Sequence, residues 1–157
     1  MQESTIQTLR ADYARFEGMA ATGATSSEIE SASRTLGIPF PSDYVEFLSL
    51  FGGGYARSYA IAGLREWQMA GNHWHVVTKT QQFSTPTFPG TEGWVIFSDD
   101  GCGNPIGFDR DGRVWISDHD SRECTCLEQS FDAWLRRWAL DLEPRGQYIS
   151  KHSWPQT

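Results

Sequence analysis

Residues 36–54 read LGIPFPSDYVEFLSLFGGG, and this stretch decides the fold. Gly37 stops a helix, being free to take the left-handed conformation that helix ends favour. Ile38-Pro39-Phe40-Pro41 cannot be helical, because each proline drives its predecessor into extended geometry. Ser42 and Asp43 open a new helix with Tyr44, Phe47, Leu48 and Phe51 on its apolar face, and Gly52-Gly53-Gly54 ends it abruptly. The expectation is two helices joined by a rigid Pro-Pro elbow, with Leu36 beneath it.

Upstream, Ser27 and Glu30 have the spacing of a capping box, in which hydroxyl and carboxylate each satisfy an orphan backbone donor. Ile29, Ala32 and Leu36 would form that helix's buried stripe. Before a small, polar loop over 20–25, Ile6, Leu9, Tyr13 and Phe16 recur at three- and four-residue steps, a short amphipathic helix ending near Gly18.

Downstream of Gly54 the period falls to two. Tyr59–Ala62, Trp74–Lys79, Trp94–Ser98, Pro105–Asp109 and Arg113–Asp118 read as strands. The Gly- and Asp-rich segments 99–104 and 110–112 supply turn chemistry and make the last three an antiparallel meander. Phe131, Trp134, Leu135, Trp138 and Leu142 return to helical spacing, with Ser130 as N-cap and Pro144 beyond the end. Residues 143–157 read as a tail. The expected class is α+β over one domain, 1–157: N-terminal helices, a mostly antiparallel sheet and a closing C-terminal helix.

The chain's 157 residues suffice for one core without staples, and its net charge is −7. That charge disfavours nucleic acid or an anionic membrane as direct partner and favours a basic protein. No run of about 18 apolar residues is present, and the first ten residues lack the apolar core of a signal peptide. Three scattered cysteines, at 102, 124 and 126, do not suggest a disulfide framework, so the expected compartment is a reducing cytoplasm.

In their order, Leu36-Gly37-Ile38-Pro39-Phe40-Pro41, Tyr44, Phe47-Leu48 and the glycine cluster resemble the start of the SUKH superfamily. Trp94-Val95-Ile96-Phe97, Gly101, Gly103, Asp109, Gly112, Val114-Trp115, His119-Asp120 and Ser130-Phe131 with Trp134-Leu135 match its second half, so the resemblance spans roughly 26–136. Two departures stand out: Phe51 occupies a place where the family commonly has Asn, and 55–90 has no counterpart in the pattern. The superfamily includes fungal cell-wall-synthesis regulators and many bacterial immunity proteins. The resemblance implies a helix-flanked sheet and a non-catalytic binding role, in bacteria the neutralisation of a toxin domain, often a basic nuclease. Because 55–90 is a variable region of the family, partner identity is expected to reside there.

Charge distribution supplies the candidate contact residues. Between Glu92 and Glu123 eight acidic residues face three arginines, a net −5 of the chain's −7. Asp99, Asp100, Asp109, Asp111, Asp118 and Asp120 fall in the turns of the meander, which can lie at different ends of the strands; either some of them share an end and form a partial acidic patch, or each serves only as a turn former. Trp67, Trp74 and Trp154 lack periodic company, so each either reaches a partner or lies on its own sheet.

Other constellations fail on spacing. Asp109-Arg110-Asp111-Gly112 lacks the further ligands of a calcium loop. Cys124 and Cys126, which would share one face of a strand, lack a zinc knuckle's spacing, and His73 and His75 lack a third ligand. No nucleophile elbow, oxyanion loop or phosphate loop is present. No metal, cofactor or catalysis is therefore expected. An immunity protein is the first reading, with a scaffold for an endogenous partner and a small hydrolase as alternatives.

Overall fold

In the computed structural model, which describes residues 1–84, 88, 90–148 and 150–153, Tyr44 is the hub. It is fully buried, its hydroxyl donates to the Ala62 carbonyl at 2.7 Å, and burial holds its phenol pKa well above the usual range. Its ring contacts those of Phe40, Phe47, Phe97, Phe108 and Phe131. One tyrosine thus joins the elbow, the sheet and the closing helix in a single aromatic core.

Three helices come first: α1 (Glu3–Arg15), α2 (Ser26–Leu36) and α3 (Ser42–Phe51). The capping box on α2 is Thr25 with Glu28, not Ser27 with Glu30. Thr25 Oγ1 accepts from the Glu28 amide at 3.3 Å, and Glu28 Oε2 accepts from the Thr25 amide at 2.6 Å. The same Ser/Thr-x-x-Glu pattern occurs twice, two residues apart, and the earlier copy is used. Beneath the elbow sits Ile38, which is buried, while Leu36 is half-buried. Phe16, expected on an apolar face, lies beyond the end of α1 and is exposed.

The glycine cluster is a crossing point. Gly52 is the left-handed C-cap of α3, and its carbonyl accepts from Leu64 and Arg65. A Cβ on Gly53, at φ 142°, would come within 2.8 Å of the Trp67 ring. A short hairpin, β1 (Gly54–Ala56) and β2 (Tyr59–Ile61), leads out of this knot.

Residues 74–79, expected as a strand, instead enter a helix. A 3-10 turn (Gly71–Trp74) leads into α4 (Val76–Phe83). The buried positions Val76, Lys79, Thr80 and Phe83 follow helical spacing, but two of the four are polar, so hydrophobicity alone concealed the period. Thr80 Oγ1 accepts from the Ile96 amide at 2.9 Å, fixing α4 to the sheet.

The main sheet is antiparallel, in the order β3 (Val95–Asp99), β4 (Pro105–Phe108), β5 (Val114–Asp118), β6 (Glu123–Glu128) and β7 (Ser150–Ser153). Strand β7 corrects the reading of 143–157 as a tail. Its short polar sequence, SKHS, carries no apolar alternation, and only pairing with β6 defines it as a strand. The closing helix is also shorter than expected: α5 (Phe131–Trp134) passes into a π turn over Leu135–Ala139. Ser130 caps it as expected, its hydroxyl accepting from Ala133.

Candidate partner-binding surface

An antiparallel meander places successive turns at opposite ends of the sheet. The β3–β4 and β5–β6 turns therefore share one end with Asp99, Asp100, Asp118 and Asp120, and the β4–β5 turn carries Asp109 and Asp111 to the other. The six candidate aspartates do not form one patch.

At the Asp109 end the charges are spent internally. Asp109 Oδ1 accepts from the amides of Asp111 and Arg113, while Oδ2 accepts from Arg113 Nε and from the Trp115 indole at 2.9 Å. Arg113 also pairs with Asp111 at 2.9 Å. Gly112 lies against Pro41, so this turn packs on the elbow. It is a brace, as the turn reading of Asp109–Gly112 expects.

At the Asp118 end, Asp99 is likewise occupied, accepting from Lys79 Nζ at 2.7 Å. Lys79 is buried with its ammonium 3.7 Å from the centre of the Trp74 ring, so Trp74 serves as a half-buried wall for an internal cation. Asp100 Oδ1 accepts from the amides of Cys102 and Asn104. Asn104 Oδ1 accepts from the His119 amide at 3.1 Å, which ties the two turns together. Asp118 Oδ1 accepts from Asp120 and Ser121, and the Ser121 amide bond is the main cause holding its pKa below the ordinary aspartate value. Among the described residues, Asp100, Asp118 and Asp120 have no Lys or Arg ion pair; Asp120, with its side chain 90% exposed, has only the His119 ring at 3.5 Å. Three carboxylates without a Lys or Arg ion pair thus remain on one rigid end, where Lys151, paired with Glu123, also feels the charge of Asp118.

Neither tryptophan fits the role of a free contact residue. Trp67 is 4% exposed and wedged beside Gly53, which corrects its place among the candidates. Trp154 lies outside the described residues, as do 85–87 and 89 of the 55–90 stretch. Cys124 and Cys126 lie on one face of β6 and are buried, and burial raises the Cys126 thiol pKa. His73 and His75 sit at the 3-10 turn and the start of α4; burial lowers the His75 pKa, against the opposing charge of Glu66. Among the described residues, no three His, Cys, Asp or Glu side chains are grouped to hold a metal ion.

The same elbow, glycine knot and meander carry the family assignment. The sequence model of the SMI1/KNR4 family (SUKH-1) matches residues 23–137. This chain belongs to that family. The match covers α2 through most of the closing helix and agrees closely with the 26–136 span of the resemblance. A comparison with curated proteins gave no match. Within this SUKH-1 domain the described residues contain no helix long and apolar enough to cross a membrane. Sequence reasoning missed the Lys79–Asp99 pair and the Asn104 bridge. The first is twenty residues apart and depends on α4 being helical; the second shows only as an asparagine in an already turn-rich segment.

Proposed function

We propose that this SUKH-1 protein is an immunity protein that binds a basic toxin domain and blocks it by occlusion, without catalysing a reaction. Membership of the SUKH-1 family supports a protein-binding role, since the superfamily includes immunity proteins and regulators. The observation that carries the toxin reading is the set of carboxylates without a Lys or Arg ion pair, Asp100, Asp118 and Asp120, held in and beside the turns at one end of a rigid sheet. Loops on such a scaffold are the usual place for recognition, and a nuclease that grips phosphates presents basic residues. Opposed charge would speed encounter and set the orientation of docking. The reading places the protein in the bacterial cytoplasm, where an incoming toxin acts. The test is co-purification of this chain's partner from the native cell, followed by co-expression of the two proteins. Growth should be restored and a stable complex recovered; continued toxicity with no complex would leave a scaffold for an endogenous partner as the better reading.

A further inference from the structure

The β1–β2 hairpin ends where Asp100, Asp118 and Asp120 lie without a Lys or Arg ion pair. The Ala62 amide donates to the Phe97 carbonyl, and Ser98 Oγ donates to the Ala60 carbonyl at 2.8 Å. Stepping back from Ala62 along β2 therefore runs toward Asp99 and carries the Arg57-Ser58 tip past it. Across this end the order is Arg57, then Asp99 and Asp100, then Asp118 through Arg122.

Both arginines hold a backbone conformation that arginine disfavours. Among the described residues, positive φ occurs at nine glycines and at Arg57 (52°), Arg122 (57°) and Asp141 (52°). Any residue with a Cβ crowds the following carbonyl in the left-handed region; aspartate offsets this through local hydrogen bonds of its short side chain, which arginine lacks. Ala56 pairs with Tyr59, so Arg57 is the first residue of a two-residue tip, a place that turns with positive φ there usually give to glycine. Arg122 closes the connection between the paired Asp118 and Glu123. Both are exposed, and neither makes a hydrogen bond, ion pair or ring contact among the described residues. The turns need the positive φ, but the arginine side chains make no contact in return for the strain they carry there, and strain of that kind points to function.

We propose that Arg57 and Arg122 are partner anchors, kept at strained tips because their guanidinium groups take carboxylates of the protein bound at this end. The proposal rests on the binding role argued above and deepens it: the fitting partner is basic overall, with carboxylates spaced to meet the two forks. A planar guanidinium binds a carboxylate through two parallel hydrogen bonds, a geometry lysine cannot reproduce. Positive groups flanking the negative ones along one edge would fix register and reject partners carrying only positive charge.

The experiment compares Arg57→Gly and Arg122→Gly with Asp100→Asn plus Asp120→Asn, reading thermal melting and affinity for the partner protein that co-purifies with this chain from the native cell. Each glycine variant should melt about 2–4 °C higher, because strain is relieved, and bind roughly tenfold more weakly. Arg122→Lys, which keeps charge and strain, should melt like the parent and still lose affinity. Glycine variants that melt higher at full affinity would show the arginines to be idle, and lower melting would show the tips unstrained. Affinity lost in the aspartate pair but kept in the arginine variants would overturn this inference alone. Affinity kept in every variant would overturn the proposed binding end as well.

Discussion

The two ends of the meander use the same residue in the same turn chemistry to opposite effect. At one end Asp109 collects two amides, a guanidinium and an indole, and its charge is cancelled by Arg113. At the other, Asp100 and Asp118 accept comparable amide bonds while no Lys or Arg among the described residues pairs with them. Turn formation and charge display are therefore separable properties of an aspartate. Backbone bonding satisfies the oxygens in both cases, and the nearest cation decides whether a field reaches solvent.

That contrast breaks first at Asp109. Asp109→Ala should destabilise the protein by about 2–3 kcal/mol, because the buried Trp115 indole loses its acceptor and Arg113 its carboxylate. Denaturant unfolding measures the loss, and a change below about 0.5 kcal/mol would remove the distinction between a bracing end and a displaying end. Asp99→Ala should rank second, at about 1–2 kcal/mol, since it strands the buried Lys79 ammonium between the Trp74 and Phe83 rings with no carboxylate. The same unfolding experiment on Asp120→Asn should show almost nothing, because its carboxylate is 90% exposed.

How far the sequence revealed this depended on the range of each signal. Pro39, Pro41, Gly37 and the Gly52–Gly54 run act on their own backbone, so elbow and helix ends were legible from local chemistry. The α4 helix was not, because its buried face includes Lys79, whose partner Asp99 lies in another element. The SKHS strand at 150–153 was equally silent, since its pairing with β6 is a tertiary fact. The candidate aspartates were visible as turn residues, but their division between two ends required the strand order. Trp67 stood out only by its lack of periodicity, and it is buried because a glycine knot makes room for it. Arg57 and Arg122 gave no signal, as an ordinary arginine and one at positive φ look alike in sequence.

A smaller effect sharpens the comparison through pH. Asp118's folded pKa lies below its unfolded value, so its contribution to stability is present above the unfolded pKa and is lost as pH falls through the folded one. Acid unfolding of Asp118→Asn should accordingly be flatter than the parent's below about pH 4, with the two alike at pH 7 in slope against pH. Parallel acid limbs would mean that the Ser121 and Asp120 amides do not hold the carboxylate in solution.

The central claim, that the Asp118 end steers a basic partner, is met most directly by association kinetics across a salt series with the partner protein that co-purifies with this chain from the native cell. Asp100→Asn with Asp120→Asn should lower the association rate roughly tenfold at low salt and converge on the parent at high salt, while Asp111→Asn, at the neutralised end, should leave the rate near the parent's. A double variant with the parent's rate and salt slope, or an Asp111 variant slowed as much as the double, would contradict the account.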